Sequence, residues 1–314
     1  MNNKLRTSIF KGLHLLGIRS ALSLLQQNRK STPIITFHRV HEVFDHLTQP
    51  INPIEFREII RLFNQHYRIY PLSALLKPNF SDPEALFITV DDALSEFYDF
   101  MYPVFKEFEI PVTLFVPTQS VETGTQLWNY AVAEWFLSKE TPTKLLMGKK
   151  ELVIGNSLED FLHLIGVISN DPTNLEENLK LTTIPDGKLT APMTWSQIKE
   201  VQENGITIGS HFHRHVCLPS LDIESIRSEI EVSSHLLNKN LGSKPKFFAF
   251  PMGAFDQLAI NCMDEIKAIG FSTENRRVNL PLDTFGSIPR FNISDRSYEE
   301  IDLRIFGFHN LVRR

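Results

Sequence analysis

Short apolar runs rich in β-branched and aromatic residues alternate along this sequence with segments of helical periodicity, and that alternation constrains the fold most. Residues 33–38 (Pro-Ile-Ile-Thr-Phe-His) predict a strand. Asn52-Pro53 then predicts a helix through Ile54, Phe56, Ile59, Ile60 and Phe63, with the asparagine as cap and the proline in the first turn. Strands are predicted over 86–90, 111–116, 206–209, 247–250, 271–273 and 288–293, with helices near 95–108, 195–204, 222–240 and 256–269. Such an order belongs to β/α units with a parallel sheet, either a barrel or an open sheet. The stretch between Val116 and Ile206 does not continue the alternation. It reads as one large insertion at about 120–190, with a hairpin over 144–154 around Gly148, a helix over 158–168, and turns at Asp171-Pro172 and Pro185-Asp186-Gly187.

Hydrophobic residues make up 42% and charged residues 22% of the 314, a balance usual for a globular chain and not for a disordered one. No apolar run comes near the roughly 18 residues of a spanning helix. Two cysteines, Cys217 and Cys262, exclude a disulfide framework and favour a reducing compartment. The net charge of −5 is unevenly spread. Residues 1–30 hold six basic residues (Lys4, Arg6, Lys11, Arg19, Arg29, Lys30) and no acidic one, which leaves the rest of the chain at −11 and argues against nucleic acid as a partner. Residues 1–30 form an N-terminal basic helical segment ahead of a domain over 31–314. Leu5, Ile9, Leu13 and Leu16 share one helical face and Ile18, Ala21, Leu22 and Leu25 nearly the opposite one. Lys11, His14 and Arg19 interrupt the apolar residues and no small-residue cleavage pattern follows, so the segment reads as retained rather than as a signal peptide. Two readings stand: a helix packed on the body, or a basic helix lying on a membrane surface.

Three clusters carry chemistry. Ile88-Thr89-Val90-Asp91-Asp92-Ala93 sets two adjacent carboxylates at the C-terminal end of an apolar strand, where α/β folds place their active sites. A cation compensates such a pair most simply, although an aspartate there also serves as a helix cap. Ile208-Gly209-Ser210-His211-Phe212-His213-Arg214-His215 follows another strand, and His211 and His215 can meet one ion across a tight turn, with His213 facing elsewhere. The other reading is a chance cluster on a solvated loop. Phe247-Phe248-Ala249-Phe250-Pro251-Met252-Gly253 is either a buried strand stopped by a turn or an apolar wall beside a ligand, with Phe250 and Pro251 facing it. In Pro289-Arg290-Phe291, one guanidinium lies inside an apolar strand, where a carboxylate partner is expected.

Taken in order, Thr89–Ala93, His211–His215 and the Phe-Ala-Phe-Pro-Met-Gly strand end resemble the first three motifs of the polysaccharide deacetylases, carbohydrate esterase family four with its NodB homology domain. Phe37-His38-Arg39-Val40 resembles the early Tyr-His-x-Val of the exopolysaccharide and poly-N-acetylglucosamine branch. The resemblance covers about residues 33–295 apart from the insertion. It implies an α/β fold, a distorted (β/α)7-type barrel with the insertion and an N-terminal helix, and a divalent ion, Zn2+ by the donor set, held by Asp92, His211 and His215. It makes Asp91 the general base. The amine must leave protonated, and His38 and His213 are the candidate acids, because the family's late Leu-x-His motif is missing.

The chain departs from the family at three further places: Ala93 stands for a glycine, Phe212 for a serine or threonine, and the third-motif arginine that pairs with the catalytic aspartate is absent, with Arg290 as its candidate replacement. The implied activity is hydrolytic removal of N-acetyl groups from N-acetylhexosamine units of an exopolysaccharide, a cell-wall glycan or a lipid-linked precursor. The alternative is a catalytically inactive glycan-binding relative. Without a signal peptide the expected place is the cytoplasm, peripheral at the inner membrane face through residues 1–30. In the insertion, Trp128 and Tyr130 are candidate stacking platforms for a sugar ring, or else anchors of the insertion itself.

Overall fold

The structure, a computed structural model, describes residues 3–18, 20–21, 31–45, 47–138, 143–147, 150–169, 190–282, 284–294 and 296–307. Helix α1 (Asn3–Leu15) is followed by β1 (Ser31–Thr32) and β2 (Ile34–Phe37). Helix α2 (Pro53–His66) starts as predicted: the Asn52 side chain accepts the Ile54 N–H, Pro53 occupies the first turn, and Phe56, Ile59, Ile60 and Phe63 turn inward. Then come β3 (Arg68–Ile69), the six-residue β4 (Ala85–Val90), a π-helical turn over Phe97–Met101 leading into α3 (Tyr102–Glu107), β5 (Val112–Val116) and α4 (Thr118–Thr123). The insertion supplies α5 (Trp128–Ser138), the hairpin β6 (Thr143–Met147) and β7 (Lys150–Ile154), and α6 (Leu158–Ser169). The alternation resumes with α7 (Trp195–Glu203), β8 (Thr207–Ser210), α8 (Ile223–Leu241), β9 (Phe247–Ala249), α9 (Gln257–Glu265) and β10 (Ile269–Phe271). It closes with β11 (Val278–Asn279), β12 (Phe291–Asn292) and α10 (Tyr298–Ile305).

The central sheet runs β10-β9-β8-β5-β4-β2-β12 with every neighbouring pair parallel, and β3 adds to β4. β4 and β5 are buried at every residue, as expected for strands covered on both faces. The sheet curls until its ends approach. Ile288 pairs with Phe271 of β10, and three residues later Phe291 and Asn292 pair with Ile35 and Thr36 of β2. One segment therefore bridges both ends of the sheet, and the fold is a distorted (β/α)7-type barrel. The expected continuous strand over 288–293 is broken because Pro289 has no N–H to donate. The strand expected at 271–273 lies two residues earlier, and the expected helix over 95–108 begins with a π turn. The turns at 171–172 and 185–187, and Gly148 of the hairpin, lie outside the described residues.

Parallel strands bring all their C-terminal ends to one rim. That geometry gathers residues 38, 91–92, 211 and 250–251 although they are far apart in sequence. The close approach between β8 and its neighbours needs Gly209: a Cβ there would stand 2.6 Å from the Phe115 ring and 3.0 Å from the Phe247 carbonyl oxygen.

Helix α1 docks on the barrel. Arg6 pairs with Glu300 at 2.5 Å, and His14 Nε2 lies 3.0 Å from the buried Asp302 carboxylate of α10. Phe10, Leu13 and Ile18 pack against the core, whereas Leu5, Ile9 and Leu16 face outward. The face grouped in the sequence by Leu5, Ile9, Leu13 and Leu16 is thus split, because the docked stripe is centred on Phe10 and Leu13.

Gly209→Ala should lower stability by about 1–3 kcal/mol, since backbone and a buried ring must move to admit the methyl group. A urea titration reads this as a lower midpoint at unchanged slope, and an unchanged midpoint would show that the strands do not need this approach.

Candidate active site

Asp91 and Asp92 follow β4 directly. The Asp91 N–H bonds the Phe37 carbonyl and extends the ladder with β2. The chain then turns through two left-handed residues, Asp92 (φ 75°) and Ala93 (φ 45°), which aims the two side chains in different directions. Neither carboxylate caps the following helical turn: both bond side chains from other elements. Ala93, where the family has glycine, does adopt the conformation that glycine favours.

Asp91 is held by Arg290. The guanidinium is 0% exposed and donates to both Asp91 oxygens, at 2.7 and 2.8 Å. It also donates to the Thr89 hydroxyl (3.0 Å), the Thr36 hydroxyl (3.2 Å) and the Ser272 carbonyl (3.2 Å), and lies over the Phe115 and Phe271 rings. The carboxylate partner expected for Arg290 is therefore present, and it is the aspartate that the family pairs with its third-motif arginine. Burial pushes the Asp91 carboxyl up, but Arg290, His211 and His38 outweigh it and bring it below the usual carboxylate range. His38 follows β2 and places Nε2 3.6 Å from Asp91 Oδ2, with its side chain partly open to solvent.

The histidine loop leaves β8 through a tight turn in which Phe212 (φ 61°) and His215 (φ 57°) are left-handed. Glu229 of α8 organises it by accepting the backbone N–H groups of His213 and Arg214, at 2.9 and 2.8 Å, and the Arg214 side chain. Phe212 carries no hydroxyl, but Ser210 supplies one: its Oγ accepts the Phe212 N–H at 3.0 Å and itself bonds Ser233. The Phe212 ring is core, packed against Phe248 and Phe250. His213 turns away, its Nδ1 3.0 Å from the Thr118 hydroxyl, so it lies apart from Asp91.

His211 and His215 meet Asp92. Each Nε2 lies 3.4 Å from Asp92 Oδ1, and the three ligand atoms lie within 4.8 Å of one another, all on buried residues. Ligand atoms bound tetrahedrally at zinc distances stand about 3.3 Å apart, so the spacing fits that ion. The protonation pattern fits as well. His211 Nδ1 lies 2.7 Å from the Ala249 carbonyl, which only accepts, so Nδ1 carries a proton and Nε2 is the nitrogen left to face a metal. Asp92 Oδ1 is buried without a hydrogen-bond partner, a costly state that a cation relieves. Burial raises the Asp92 carboxyl, yet the two histidines hold it well below its ordinary range.

A cavity of about 250 Å³ opens beside His38. Asn129 and Tyr130 of α5, Asn292 of β12 and Ser294 just after it, and Phe161 and Ile165 of α6 line it, so the insertion forms one wall. The wall expected from Phe250 and Pro251 is not exposed: both are buried, Phe250 between Phe212 and Phe255, and Met252, 40% exposed, borders the cavity instead. Trp128 is half-buried against the insertion's core and donates its indole N–H to the His215 carbonyl at 2.8 Å, which is an anchor's arrangement. Tyr130 is buried, with its hydroxyl 2.6 Å from Asp92 Oδ2. Sequence reasoning missed this last bond and the support from Glu229, because no local spacing links a helix of the insertion to a strand end nearly forty residues earlier.

Arg290→Met leaves Asp91 buried without its counter-charge and should cost about 3–5 kcal/mol of stability. Combining it with Asp91→Asn should restore part of that loss. A double-mutant cycle in urea tests the pair, and strictly additive effects would show that the two side chains are not coupled.

Residues 172–270 match the family model described as polysaccharide deacetylase. No curated protein sequence matches the chain. Among solved structures, a deacetylase of Streptococcus pyogenes, PplD, determined in complex with acetate, superposes with a TM-score of 0.61 at 16% identity, covering 88% of this chain and 99% of that one. IcaB from Ammonifex degensii gives 0.59 at 15% identity, over 88% and 97%. The BpsB deacetylase domain from Bordetella bronchiseptica gives 0.52 at 16% identity, over 85% and 97%. At these identities the likeness is one of fold: over residues 172–270 the chain is similar to the polysaccharide deacetylase model, and its barrel is shared with the solved structures.

Proposed function

We propose that this chain is a metal-dependent hydrolase that removes N-acetyl groups from N-acetylhexosamine units of a glycan. The observation that carries the reading is the buried trio Asp92, His211 and His215 beside an aspartate held by a buried arginine. The acetate in the Streptococcus pyogenes deacetylase supports an acetyl group as the one removed, and the match to the polysaccharide deacetylase model supports a glycan substrate.

Zinc, the ion that the two imidazoles and one carboxylate suit, supplies a Lewis acid to an amide carbonyl and makes a water more acidic. The remaining work belongs to the side chains. Asp91, kept ionised below the usual carboxylate range, accepts a proton from the attacking water. Arg290 fixes both oxygens of that carboxylate and offsets its charge in a buried setting. His38 stands at the open side of Asp91 and on the cavity, where a protonated imidazole can pass a proton to the leaving amine. Asn129 and Asn292 offer polar groups to sugar hydroxyls along the same cavity. A binding-only reading has less support, because Arg290 and Ser210 fill in space the roles that two of the departures vacate.

Contact with an anionic membrane surface is proposed for α1. No helix among the described residues is long and apolar enough to cross a membrane. Docked as it is, α1 keeps Leu5 (57% exposed) and Ile9 (42%) on its outer side, Leu16 (78%) just past its end is exposed too, and the first 30 residues carry six basic and no acidic side chains. Both features suit an interfacial helix.

Wild-type protein loaded with zinc should hold about one ion per chain and release acetate from oligomers of N-acetylglucosamine. Asp91→Asn should keep the ion and lose about 10²- to 10⁴-fold in rate. Metal analysis beside an enzymatic acetate assay decides this, and a variant as active as wild type would remove Asp91 from the chemistry. For α1, the chain should sediment with vesicles containing phosphatidylglycerol and not with purely zwitterionic ones. The Leu5→Ser plus Leu16→Ser protein should bind roughly tenfold more weakly. Equal sedimentation of the two proteins would end the membrane proposal.

A further inference from the structure

The first turn of α5 reaches the metal position from the insertion. Its Tyr130 hydroxyl lies 2.6 Å from Asp92 Oδ2, and an ionised carboxylate only accepts, so the phenol donates. The other oxygen, Oδ1, has no hydrogen-bond partner and faces both imidazoles at 3.4 Å. The two oxygens of Asp92 are therefore not equivalent. A carboxylate rotates about its last torsion in a broad, roughly two-fold well, and nothing within Asp92 itself decides which oxygen points to the histidines.

We infer that Tyr130 is a positioning residue for the metal centre: it occupies Asp92 Oδ2 and so commits Oδ1, as a single-oxygen ligand, to the divalent ion. The inference rests on the proposed metal-dependent reading. Three observations show that the tyrosine is held for this task. Its ring is buried, in a cluster with Leu94 and Leu127. The Arg39 guanidinium, fixed by Glu96 in a buried ion pair, lies 5.6 Å from the ring centroid. Two residues earlier on the same helix, Trp128 donates to the backbone carbonyl of His215, so one helical turn holds the side chain of one ligand and the backbone of another. Partners of this kind commonly change metal affinity by about 10- to 100-fold.

The test compares Tyr130→Phe with Tyr67→Phe in the full chain. The first keeps the ring and removes only the hydroxyl on Asp92. The second removes the buried tyrosine hydroxyl that donates to Asp302, away from the site. Zinc affinity is read by competition with a chromophoric chelator, and stability by the melting temperature of the metal-free protein. Both variants lose a buried hydroxyl on an aspartate and should lose melting temperature to a similar degree, but Tyr130→Phe should bind zinc about 10- to 100-fold more weakly while Tyr67→Phe should keep its zinc affinity. Wild-type zinc affinity in Tyr130→Phe would overturn the inference. So would an equal loss of zinc affinity in Tyr67→Phe at the same loss of melting temperature, since that is a structural effect. A wild-type chain that binds no zinc would instead refute the metal-dependent reading itself, an outcome separable from the other two.

Discussion

The Arg290–Asp91 pair is the interaction on which both the barrel and its site depend. Two adjacent carboxylates at the end of a buried strand repel each other and lose their hydration, so the fold is costly unless each finds a cation. Arg290 serves Asp91, while Asp92 faces the two histidines. The position of Arg290 in the chain matters as much as its charge. It lies on the segment whose Ile288 pairs with β10 and whose Phe291 pairs with β2, so the residue that neutralises the site belongs to the seam that closes the sheet. Its bonds to Thr36, Thr89 and Ser272 give Nε and Nη1 partners beyond the carboxylate, which helps a buried ion pair not to destabilise.

Backbone strain gathers around the same rim. Asp92, Ala93, Phe212, His215 and Met252 all have positive φ, a conformation that costs roughly 1–2 kcal/mol for a residue with a side chain. The surroundings enforce it at three points: β4 hands the chain to Asp92, the Glu229 carboxylate grips the backbone after Phe212, and the Trp128 indole holds the His215 carbonyl. Side chains presented on short, strained turns from rigid strands need little rearrangement to meet one another.

The barrel was legible because parallel strands buried on both faces must be written as apolar runs, and the helices between them carry caps such as Asn52-Pro53. That Asp91, Asp92, His211, His215 and His38 come together was legible for a related reason: polar residues concentrated at apolar strand ends are costly to bury unless they bind one another or an ion. What stayed hidden was the support. Glu229 lies mid-helix among ordinary surface-type residues, and its role appears only once α8 packs beside the histidine loop. Phe250 and Pro251 misled for the opposite reason, since an aromatic strand end looks the same in sequence whether it faces a ligand or a neighbouring helix.

The insertion separates the two halves of the site along the chain. The match over residues 172–270 contains the histidine loop and the Phe-Pro-Met-Gly strand end but stops well short of Asp91 and Asp92. The structure restores the connection, because β4, β5 and β8 are adjacent in the sheet however long the chain between them. An insertion at that point is not neutral to the site. It leaves the sheet after β5 and returns before β8, so its first helix must cross the rim where the carboxylates and imidazoles meet. Trp128 and Tyr130 turn that crossing into support by bonding the His215 backbone and the Asp92 side chain. A segment that interrupts the family's sequence pattern has thereby become part of what holds the pattern's residues in place.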